Sequence, residues 1–553
     1  NPMLEQLTDF QQEAYQHAKS ILRSFGGVFL ADVVGLGKTF IGLALLKHLQ
    51  TRYGEHAVVV APPKIMPSWQ ELAAEFRVEL KAVSLGKLSD LDRYADREGI
   101  LIDESHHLRN IGTQRYKALT EWLRPGAKSS RRKVILLSAT PQNNDPNDVK
   151  HQLKLFPEGY TRLPFRAENI DAWFKQVKIG TSNLTDLLQH IVVRRTRRFI
   201  QSAYPNSTLT KRISTGKYET IPIQFPKRVS GSKQCLRYRI DQTYGKDFYP
   251  ILIETLSTME YATYGLGDFI KEEALKDSRL TGIRRSGHAL RGLFKVLVLK
   301  RLESSVCAFT NTLKGYERRN EEALELLDQH QRVRVRVRNR YEDETDDEIE
   351  ICVDNDEEVP ANLFETKVLR QSIENDLTKV RKILKRVLAI PEEHDRKVLR
   401  LQKYLNSRQP KEHKTIVFTQ FSDTAEFLGR VMKDEFGRTE VATGGESGVL
   451  KLARRFAPIA NGVDVPQEDE IDLLVSTDVL SEGLNLQDAD TLINYDLHWN
   501  PVRLIQRAGR IDRIGSEHDE IHISSFLPDV ELESALGLEE VLRRRIEEFL
   551  KVF

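Results

Sequence analysis

The sequence is poor in cysteine, in net charge and in long apolar runs, and each shortage excludes something. Its three cysteines, Cys235, Cys307 and Cys352, lie far apart among 553 residues. They form neither a disulfide framework nor a metal-ligand pair, which suits a reducing compartment, and a cytoplasmic protein is expected. No stretch of about 18 consecutive apolar residues occurs, so neither a membrane-spanning segment nor a membrane partner is expected. Against 83 Lys and Arg stand 81 Asp and Glu, a net charge of +2. Overall charge is therefore silent about a nucleic-acid partner, and only its local distribution can speak. The chain begins at Asn1 without a signal-peptide pattern and reads as a fragment, with any upstream targeting or domain sequence out of view.

With 40% hydrophobic and 30% charged residues, a chain of this length exceeds one core, and roughly two to four globular domains are expected. Residues 26–46, GGVFLADVVGLGKTFIGLALL, read as strand, glycine-bearing turn and helix. That order aims backbone N–H groups and a helix N-terminus at one anion. Gly35 and Gly37 let the backbone curl close to a phosphate, Lys38 would reach the β- and γ-phosphates of a nucleotide, and Thr39 would hold Mg2+. The strict loop has glycine six positions before the lysine, where this chain has Asp32, so the loop by itself does not decide.

Two further segments support it. ILIDESHHLRN, 100–110, is an apolar run ending in Asp103-Glu104, where a parallel strand delivers side chains to a ligand at its C-terminal edge. Asp103 would hold Mg2+, directly or through water, and Glu104 would polarise the attacking water; an acidic surface turn is the plainer alternative. With no second ligand cluster nearby, His106 and His107 read as coupling residues or solvated loop. KVILLSATPQNN, 133–144, is another buried-strand pattern. It ends in Ser138-Ala139-Thr140, whose hydroxyls can bond the acidic pair and report nucleotide state. Together the three segments point to ATP hydrolysis.

KTIVFTQF, 414–421, opens a second α/β pattern, continued by strand-like runs at 472–476 and 491–495. QRAGRIDRIG, 506–515, follows with Arg507, Arg510 and Arg513 spaced by three. On a helix that spacing puts neighbouring side chains on overlapping surface, and guanidiniums, always charged, need an anion opposite. The expected anion is the γ-phosphate of ATP on the first lobe. Arg510 and Arg513 would then act as fingers across a cleft, making hydrolysis depend on closure. The alternative is a basic helix paired with local acids such as Asp512.

In order and wording these segments resemble the superfamily-two helicase-like ATPases, specifically the Swi/Snf-type branch, over residues 7–200 and 412–527. LTDFQQEA resembles the adenine-reading element, which implies Gln11 as base contact with Phe10 beside it. ADVVGLGKT is similar to motif I, VVVAPPKIMPSWQELAAEF with Trp69 to motif Ia, DESH to motif II and SATPQNN to motif III. IVVRRTRR, 191–198, resembles the basic stretch closing the first lobe. STDVLSEGLNLQDADTLINYDLHWNP resembles the motif V region of this branch through Gly483, Asn485, Leu486, Ala489, Asp490 and Trp499-Asn500-Pro501. The QRAGR form of motif VI is closer to bacterial members, including the RNA-polymerase-recycling ATPase. The interval 77–102 between motif Ia and DESH is short for the family, with no legible motif Ib, so contacts of the first lobe to DNA are left unmapped.

The resemblance implies an α/β fold of two RecA-like lobes with parallel sheets and a mainly helical insertion between them. The lobes would be 1–200 and 412–553, the second with a C-terminal helix, and the insertion 201–411. ATP and Mg2+ are the implied cofactors. Lys38, Asp103, Glu104, Arg510 and Arg513 would be catalytic; Gln11, Gly35, Gly37, Lys38, Thr39 and Gly483 would surround the nucleotide; Thr39 and Asp103 would hold the metal. Ser138, Thr140 and Gln506 would couple the lobes, while Lys64, Ser422, Asn485 and Trp499 would face nucleic-acid phosphates.

Residues 201–411 match none of these motifs. TKVRKILKRVLAI, 378–390, is an amphipathic basic helix that Pro391 would stop. LFKVLVLKRLESSVCAF, 293–309, reads as one further helix whose Lys300, Arg301 and Glu303 either touch DNA or brace the lobes, packing being the plainer role. RVRVRVRNRYEDETDDEIEICVDNDEE, 332–358, alternates Val333, Val335 and Val337 with arginine and then turns acidic, which predicts a hairpin pairing basic with acidic strands. Basic pairs such as Arg194-Arg195, Arg197-Arg198, Lys227-Arg228, Arg284-Arg285 and Lys300-Arg301 are candidate phosphate contacts, each singly better read as solvated surface. The expectation is an ATP-driven motor on double-stranded DNA, bacterial, serving genome defence against phage or DNA maintenance, with other protein subunits of a defence or transcription complex as candidate partners. An RNA-polymerase-recycling ATPase and a strand-separating helicase are the alternatives. A binding module whose nucleotide site only switches shape is disfavoured by the intact Lys38, Asp103, Glu104, Arg510 and Arg513.

Overall fold

The computed structural model describes residues 6–33, 35–124, 132–139, 146–157, 170–212, 218–229, 234–276, 280, 283–336, 356–444, 446–481, 483–498, 500–537, 540, 541 and 543. A parallel strand covered on both faces must be apolar throughout, and the runs GVFL, AVVVA and GILI meet that demand. They become β1 (Gly27–Leu30), β2 (Ala57–Ala61) and β4 (Gly99–Ile102), buried at every position. With β3 (Lys81–Ser84), β5 (Lys133–Leu137) and β6 (Val192–Val193) they form a parallel sheet in the order β3-β2-β4-β5-β1-β6. Alternate residues point to opposite faces. Val28, Val59 and Leu101 pack under the helices Asp9–Phe25, Lys38–Tyr53 and Met66–Glu75. Phe29, Val58 and Ile100 pack under Gln114–Leu123 and Leu184–Ile191. Because β4, β5 and β1 are neighbours in register, Leu30 opposite Leu137 and Ile102 opposite Leu136, their following loops emerge side by side. That edge is where such sheets bind ligands.

Beyond the first sheet, β7 (Thr208–Arg212) and β8 (Tyr218–Pro222) form an antiparallel pair, followed by β9 (Lys227–Val229) and β10 (Cys235–Leu236). The helices Phe248–Thr258, Ile283–Ser304, Val306–Gln329 and Thr366–Leu388 then build a helical body around Phe294, Phe309, Leu313, Tyr316 and Ile383. β11 (Arg332–Arg336) and β12 (Asp356–Pro360) pair antiparallel, with Arg334 opposite Glu358 and Val333 opposite Val359. The expected basic-to-acidic hairpin is therefore present over these residues; the stretch 337–355 lies outside those described. β13 (Thr415–Phe418), β14 (Thr439–Ala442), β15 (Leu473–Ser476), β16 (Thr491–Asn494) and β17 (Glu520–Phe526) form the second parallel sheet, ordered β10-β17-β16-β13-β15-β14, with β9 also along β17. The two-lobed α/β arrangement with a helical insertion is as expected. The second sheet, however, takes β9 and β10 from the middle segment, and the helix Arg396–Arg408 packs Val398, Leu401 and Leu405 against it.

One expected element is corrected. The single helix expected over 293–309 is two, Ile283–Ser304 and Val306–Gln329, broken at Ser305. Ser305 is extended, φ −160° and ψ 158°, and its hydroxyl accepts from the Ala308 amide at 3.0 Å. Apolar period continues through the break, but serine offers the backbone a competing bond and caps the second helix. Among the described residues no helix is long and apolar enough to cross a membrane.

The helical body has one buried anionic hub. Asp376 is fully buried and accepts from the Glu260 amide at 2.9 Å, the Ala262 amide at 3.2 Å and the Tyr316 hydroxyl at 2.9 Å. Asp376→Ala strands those three donors and is expected to cost roughly 2–4 kcal/mol, with Asp376→Asn losing less; hydrogen exchange at the 260 and 262 amides, rising in the alanine variant, checks it.

Candidate active site

After β1 the chain turns through residues 31–37 into the helix Lys38–Tyr53. Gly35 and Gly37 have φ of +91° and +80°, conformations that favour glycine. Space demands it as well. A Cβ on Gly35 would lie 3.0 Å from Arg513 Cγ, and one on Gly37 would overlap the Gln11 amide. Lys38 Nζ spans the loop to donate to the Asp32 carbonyl at 2.9 Å. Burial pushes its ammonium down, and Glu104, Asp32 and Asp103 oppose that. Thr39 sits half-buried in the first turn of the same helix.

Asp32, the residue that breaks the strict loop pattern, is fully buried and has a built partner. Arg195 donates its main-chain N–H at 2.8 Å and its Nε at 3.1 Å to Asp32 Oδ1, and its Nη2 pairs with Oδ2. The same guanidinium lies over the Phe10 ring and donates to the Phe10 carbonyl. Phe10 is thus a core residue under Arg195. Gln11 is held at both ends: its Oε1 accepts from the Thr8 amide at 3.1 Å, and its Nε2 donates to the Leu36 carbonyl at 3.1 Å. It lies against the loop, as a residue reading the nucleotide must, with its amide engaged by protein.

Asp103 follows β4. Trp69 Nε1 donates to its Oδ2 at 2.9 Å, and the Glu104 amide donates to its Oδ1 at 2.9 Å. Burial, reinforced by Glu104, pushes its carboxyl up to about 7 against the pull of Trp69 and Lys38. A buried carboxylate in that state is one a divalent cation would relieve, so the donors present fit Mg2+. Among the described residues no group of three or more His, Cys, Asp or Glu could hold a metal by itself, which agrees with an ion held by one carboxylate, one hydroxyl and phosphate oxygens. Glu104 has φ +51°, a conformation costing a non-glycine residue about 1–3 kcal/mol and concentrated at functional sites. Of the two places expected for the histidines, His106 is not in a solvated loop. Its Nδ1 is 3.2 Å from Ser138 Oγ and 3.3 Å from Glu104 Oε2, and it is buried. Thr140 lies outside the described residues.

The three arginines of QRAGRIDRIG part company. Asn500 caps the helix Pro501–Ile511, its side chain accepting from the Val502 amide at 3.0 Å. Arg507, fully buried, turns inward; its Nε and Nη2 meet the Asp478 carboxylate at 2.6 and 2.9 Å, and its Nη1 meets Asn494 Oδ1 at 3.2 Å. Burial works against ionising Asp478, yet Arg507 holds it at about 2. Arg507 is therefore a brace within the second lobe. Arg510 donates to the Leu484 carbonyl at 3.2 Å, and its charge reaches Lys38 across the cleft. Arg513 donates to the Gly509 carbonyl at 3.0 Å and to Asn485 Oδ1, and its stem rests on Gly35. Burial, Arg510 and Arg197 together push the Arg513 guanidinium well below its usual range, with Glu104 opposing. The expected local partner, Asp512, is instead fully buried between Arg197 and Arg228. Arg510 and Arg513 thus lie beside the phosphate loop, where an anion would relieve them.

Other expected residues fall on the contact between the lobes. Lys64 Nζ donates to the Val479 carbonyl at 3.2 Å, Arg454 pairs with Glu71 at 2.8 Å, and Gly483 lies so close to Ile65 that a Cβ would overlap the isoleucine. Asn485 is taken up by Arg513, Gln506 is buried, and Ser422 is exposed at the start of the helix Ser422–Phe436. Trp499 lies outside the described residues. Sequence reasoning missed the roles of Arg195, Arg197 and Trp69 as site partners; the doubled arginines at 194–198 and the aspartate standing for glycine were the signals available.

The family model of the helicase conserved C-terminal domain matches residues 396–515. A Bacillus subtilis (strain 168) protein described as the uncharacterized ATP-dependent helicase YqhH is 24% identical over 91% of this chain and 72% of its own length. The RNA polymerase-associated protein RapA of Erwinia tasmaniensis is 36% identical over 23% of this chain and 13% of its own length. A SWI/SNF-related matrix-associated actin-dependent regulator of chromatin subfamily A-like protein 1 of Xenopus tropicalis is 28% identical over 36% of this chain and 23% of its own. The chain thus spans most of the first and less than a quarter of the other two.

Arg195→Met leaves Asp32 buried and unpaired. The expected loss is about 3–5 kcal/mol, most of it recovered in Asp32→Gly/Arg195→Met, which restores the strict loop pattern; thermal denaturation of both variants checks this.

Proposed function

We propose that this chain, a helicase-like ATPase of the Swi/Snf-type branch of superfamily two, is an ATP-dependent translocase on double-stranded DNA. The observation that carries the reading is the seating of Arg513 on Gly35, with Arg510 acting on Lys38 from the opposite lobe. The positive charges that face the nucleotide phosphates in this reading come from both lobes, Lys38 from the first and Arg510 and Arg513 from the second, so the site is complete only when the cleft is closed.

In this reading Gly35, Gly37 and the start of the Lys38–Tyr53 helix receive the phosphates, and Lys38 draws the β/γ oxygens. Thr39 and Asp103 would hold Mg2+, which would supply charge neutralisation at the phosphate oxygens. Glu104 orients the attacking water, and Arg510 and Arg513 stabilise charge spread over the transferring phosphoryl group. His106, between Glu104 and Ser138, conveys the nucleotide state, with Thr140 and Gln506 completing the link between lobes. Gln11 fixes the base side, and Gly483 permits close approach to Ile65. Lys64, Ser422, Asn485 and Trp499 are the candidate grips on the duplex, and alternate opening and closing of the cleft would ratchet it. Phosphate contacts of this kind carry little sequence information. The domain division that fits is 1–200, 201–411 and 412–553, with segments 227–236 and 396–408 docked on the second lobe. A bacterial cytoplasmic role in genome defence or DNA maintenance, with further protein subunits, follows from this reading. The likeness to an RNA polymerase-associated protein favours, as a second reading, recycling of RNA polymerase.

Steady-state ATPase rates without nucleic acid and with duplex DNA, single-stranded DNA and RNA test the proposal. Duplex DNA is expected to stimulate most, and Lys38→Ala and Arg513→Ala to lower kcat by about 100-fold or more. Preference for RNA or single strands would turn the reading to a strand-separating helicase. Gly483→Val, which places a side chain where Ile65 already sits, is expected to hold the lobes apart and lower kcat while nucleotide affinity of the first lobe stays within about threefold; fluorescent-nucleotide titration beside the ATPase assay separates the two effects.

A further inference from the structure

Away from the nucleotide cleft, a second group of charges is buried where the helical insertion meets the second lobe. Lys397, Glu303 and Asp496 are each no more than 3% exposed. They come from the Arg396–Arg408 helix, the end of the Ile283–Ser304 helix and the turn after β16. Lys397 Nζ donates to Glu303 Oε1 at 2.7 Å, to the Glu303 carbonyl at 2.8 Å and to Asp496 Oδ1 at 3.1 Å. Those three acceptors use every proton of the ammonium. The other Asp496 oxygen accepts from the Gln420 amide at 2.9 Å, from Ser304 Oγ at 3.1 Å and from Thr419 Oγ1. One cation serves two carboxylates here, and burial pushes Glu303 up to about 7, Lys397 opposing and Asp496 adding to the rise.

Buried charge of this kind is a poor source of stability, since well-packed apolar residues usually do as well or better. What it supplies is position. Asp496 lies four residues before Asn500, the cap of the Pro501–Ile511 helix. Its carbonyl is 3.5 Å from Arg507 Nη1, and Arg507 ties the same helix to Asp478. Arg510 lies one turn further along and Arg513 just past the helix end. Two residues of the insertion therefore hold the carboxylate from which the arginine-bearing helix is hung: Ser304 directly, and Lys397, which Glu303 keeps in place.

We propose that Lys397 and Glu303 are positioning residues for ATP hydrolysis: by holding Asp496 they let the helical insertion set where Arg510 and Arg513 meet the phosphate loop. This rests on the cross-lobe reading of those arginines. The insertion is then part of the hydrolytic machinery, and displacing its Ile283–Ser304 helix would withdraw Ser304 from Asp496 and Glu303 from Lys397 together.

The test is Lys397→Met/Glu303→Leu in the full chain, which removes one charge of each sign and leaves Asp496 with its Thr419, Gln420 and Ser304 donors. The expected result is a melting temperature near that of the parent, nucleotide affinity within about twofold and kcat lower by about 10- to 100-fold, since a displacement of about 1 Å costs a rate factor of that order. In an Arg510→Ala background the same pair of substitutions should cost distinctly less than in the parent, because part of its effect runs through Arg510. Ser304→Ala keeps every charge and is expected to lower kcat about fivefold, the worth of one hydrogen bond; it decides the matter should the double variant fail to fold. Parental kcat in a folded double variant, or an undiminished loss in the Arg510→Ala background, overturns the proposal while leaving the cross-lobe reading intact. Parental kcat in Arg510→Ala alone removes the cross-lobe reading, and this inference with it.

Discussion

Concentrating buried positive charge around one loop is the constraint on which the rest of the molecule depends. Lys38, Arg510, Arg513 and Arg197 all crowd toward the turn after β1, and burial and mutual repulsion push the Lys38 and Arg513 charges down from their usual ranges. Such crowding is unfavourable for a chain with nothing to put there. It becomes favourable with a polyphosphate in the middle, and the low dielectric that makes the crowding costly is what makes the anion's binding strong. The strain at Glu104 and the raised carboxyl of Asp103 belong to the same arrangement, in which neither half is at rest without a ligand.

Around that centre, several buried charges are matched by an opposite charge, while Asp376 is held by neutral donors alone. Arg195 neutralises Asp32, so the loop tolerates a carboxylate where glycine is usual. Asp478 takes Arg507 out of the cleft, and Asp512 is held by Arg197 and Arg228. Lys397 sits between Glu303 and Asp496. These pairs join segments far apart in sequence and hold the first lobe, the insertion and the second lobe in one arrangement. Exact geometry matters more than net energy for them, because a buried pair contributes little beyond its desolvation cost but fixes where its two chains lie.

The inner strands β1, β4, β5, β13, β15 and β16 were legible because a parallel strand covered on both faces is apolar almost throughout, as GVFL and GILI are, whereas β3, β14 and β17 carry polar residues and gave no such run. The loop glycines and the carboxylate pair were legible because phosphate and metal chemistry constrain residue type at short, fixed spacing. The break at Ser305 was hidden, since helical period runs on through it and only the Asp496 and Thr424 contacts of Ser304 and Ser305 tell against it. β9 and β10, three and two residues long, have no period to read.

By itself, then, the sequence determined the chemistry of the nucleotide site and the class of its scaffold, because local spacing and strand patterning are properties of neighbours along the chain. Only the tertiary structure decided which arginines lie against the loop after β1 and which are braces: the spacing of Arg507, Arg510 and Arg513 is uniform, and their different fates depend on Asp478, Asn485 and Gly35, none of them close in sequence. It also decided that Asp32 is compatible with a phosphate loop, and that the insertion grips the second lobe through Asp496. Each of these rests on a partner from 28 to 478 residues away, and pairings at that range leave no periodic trace in the order of the amino acids.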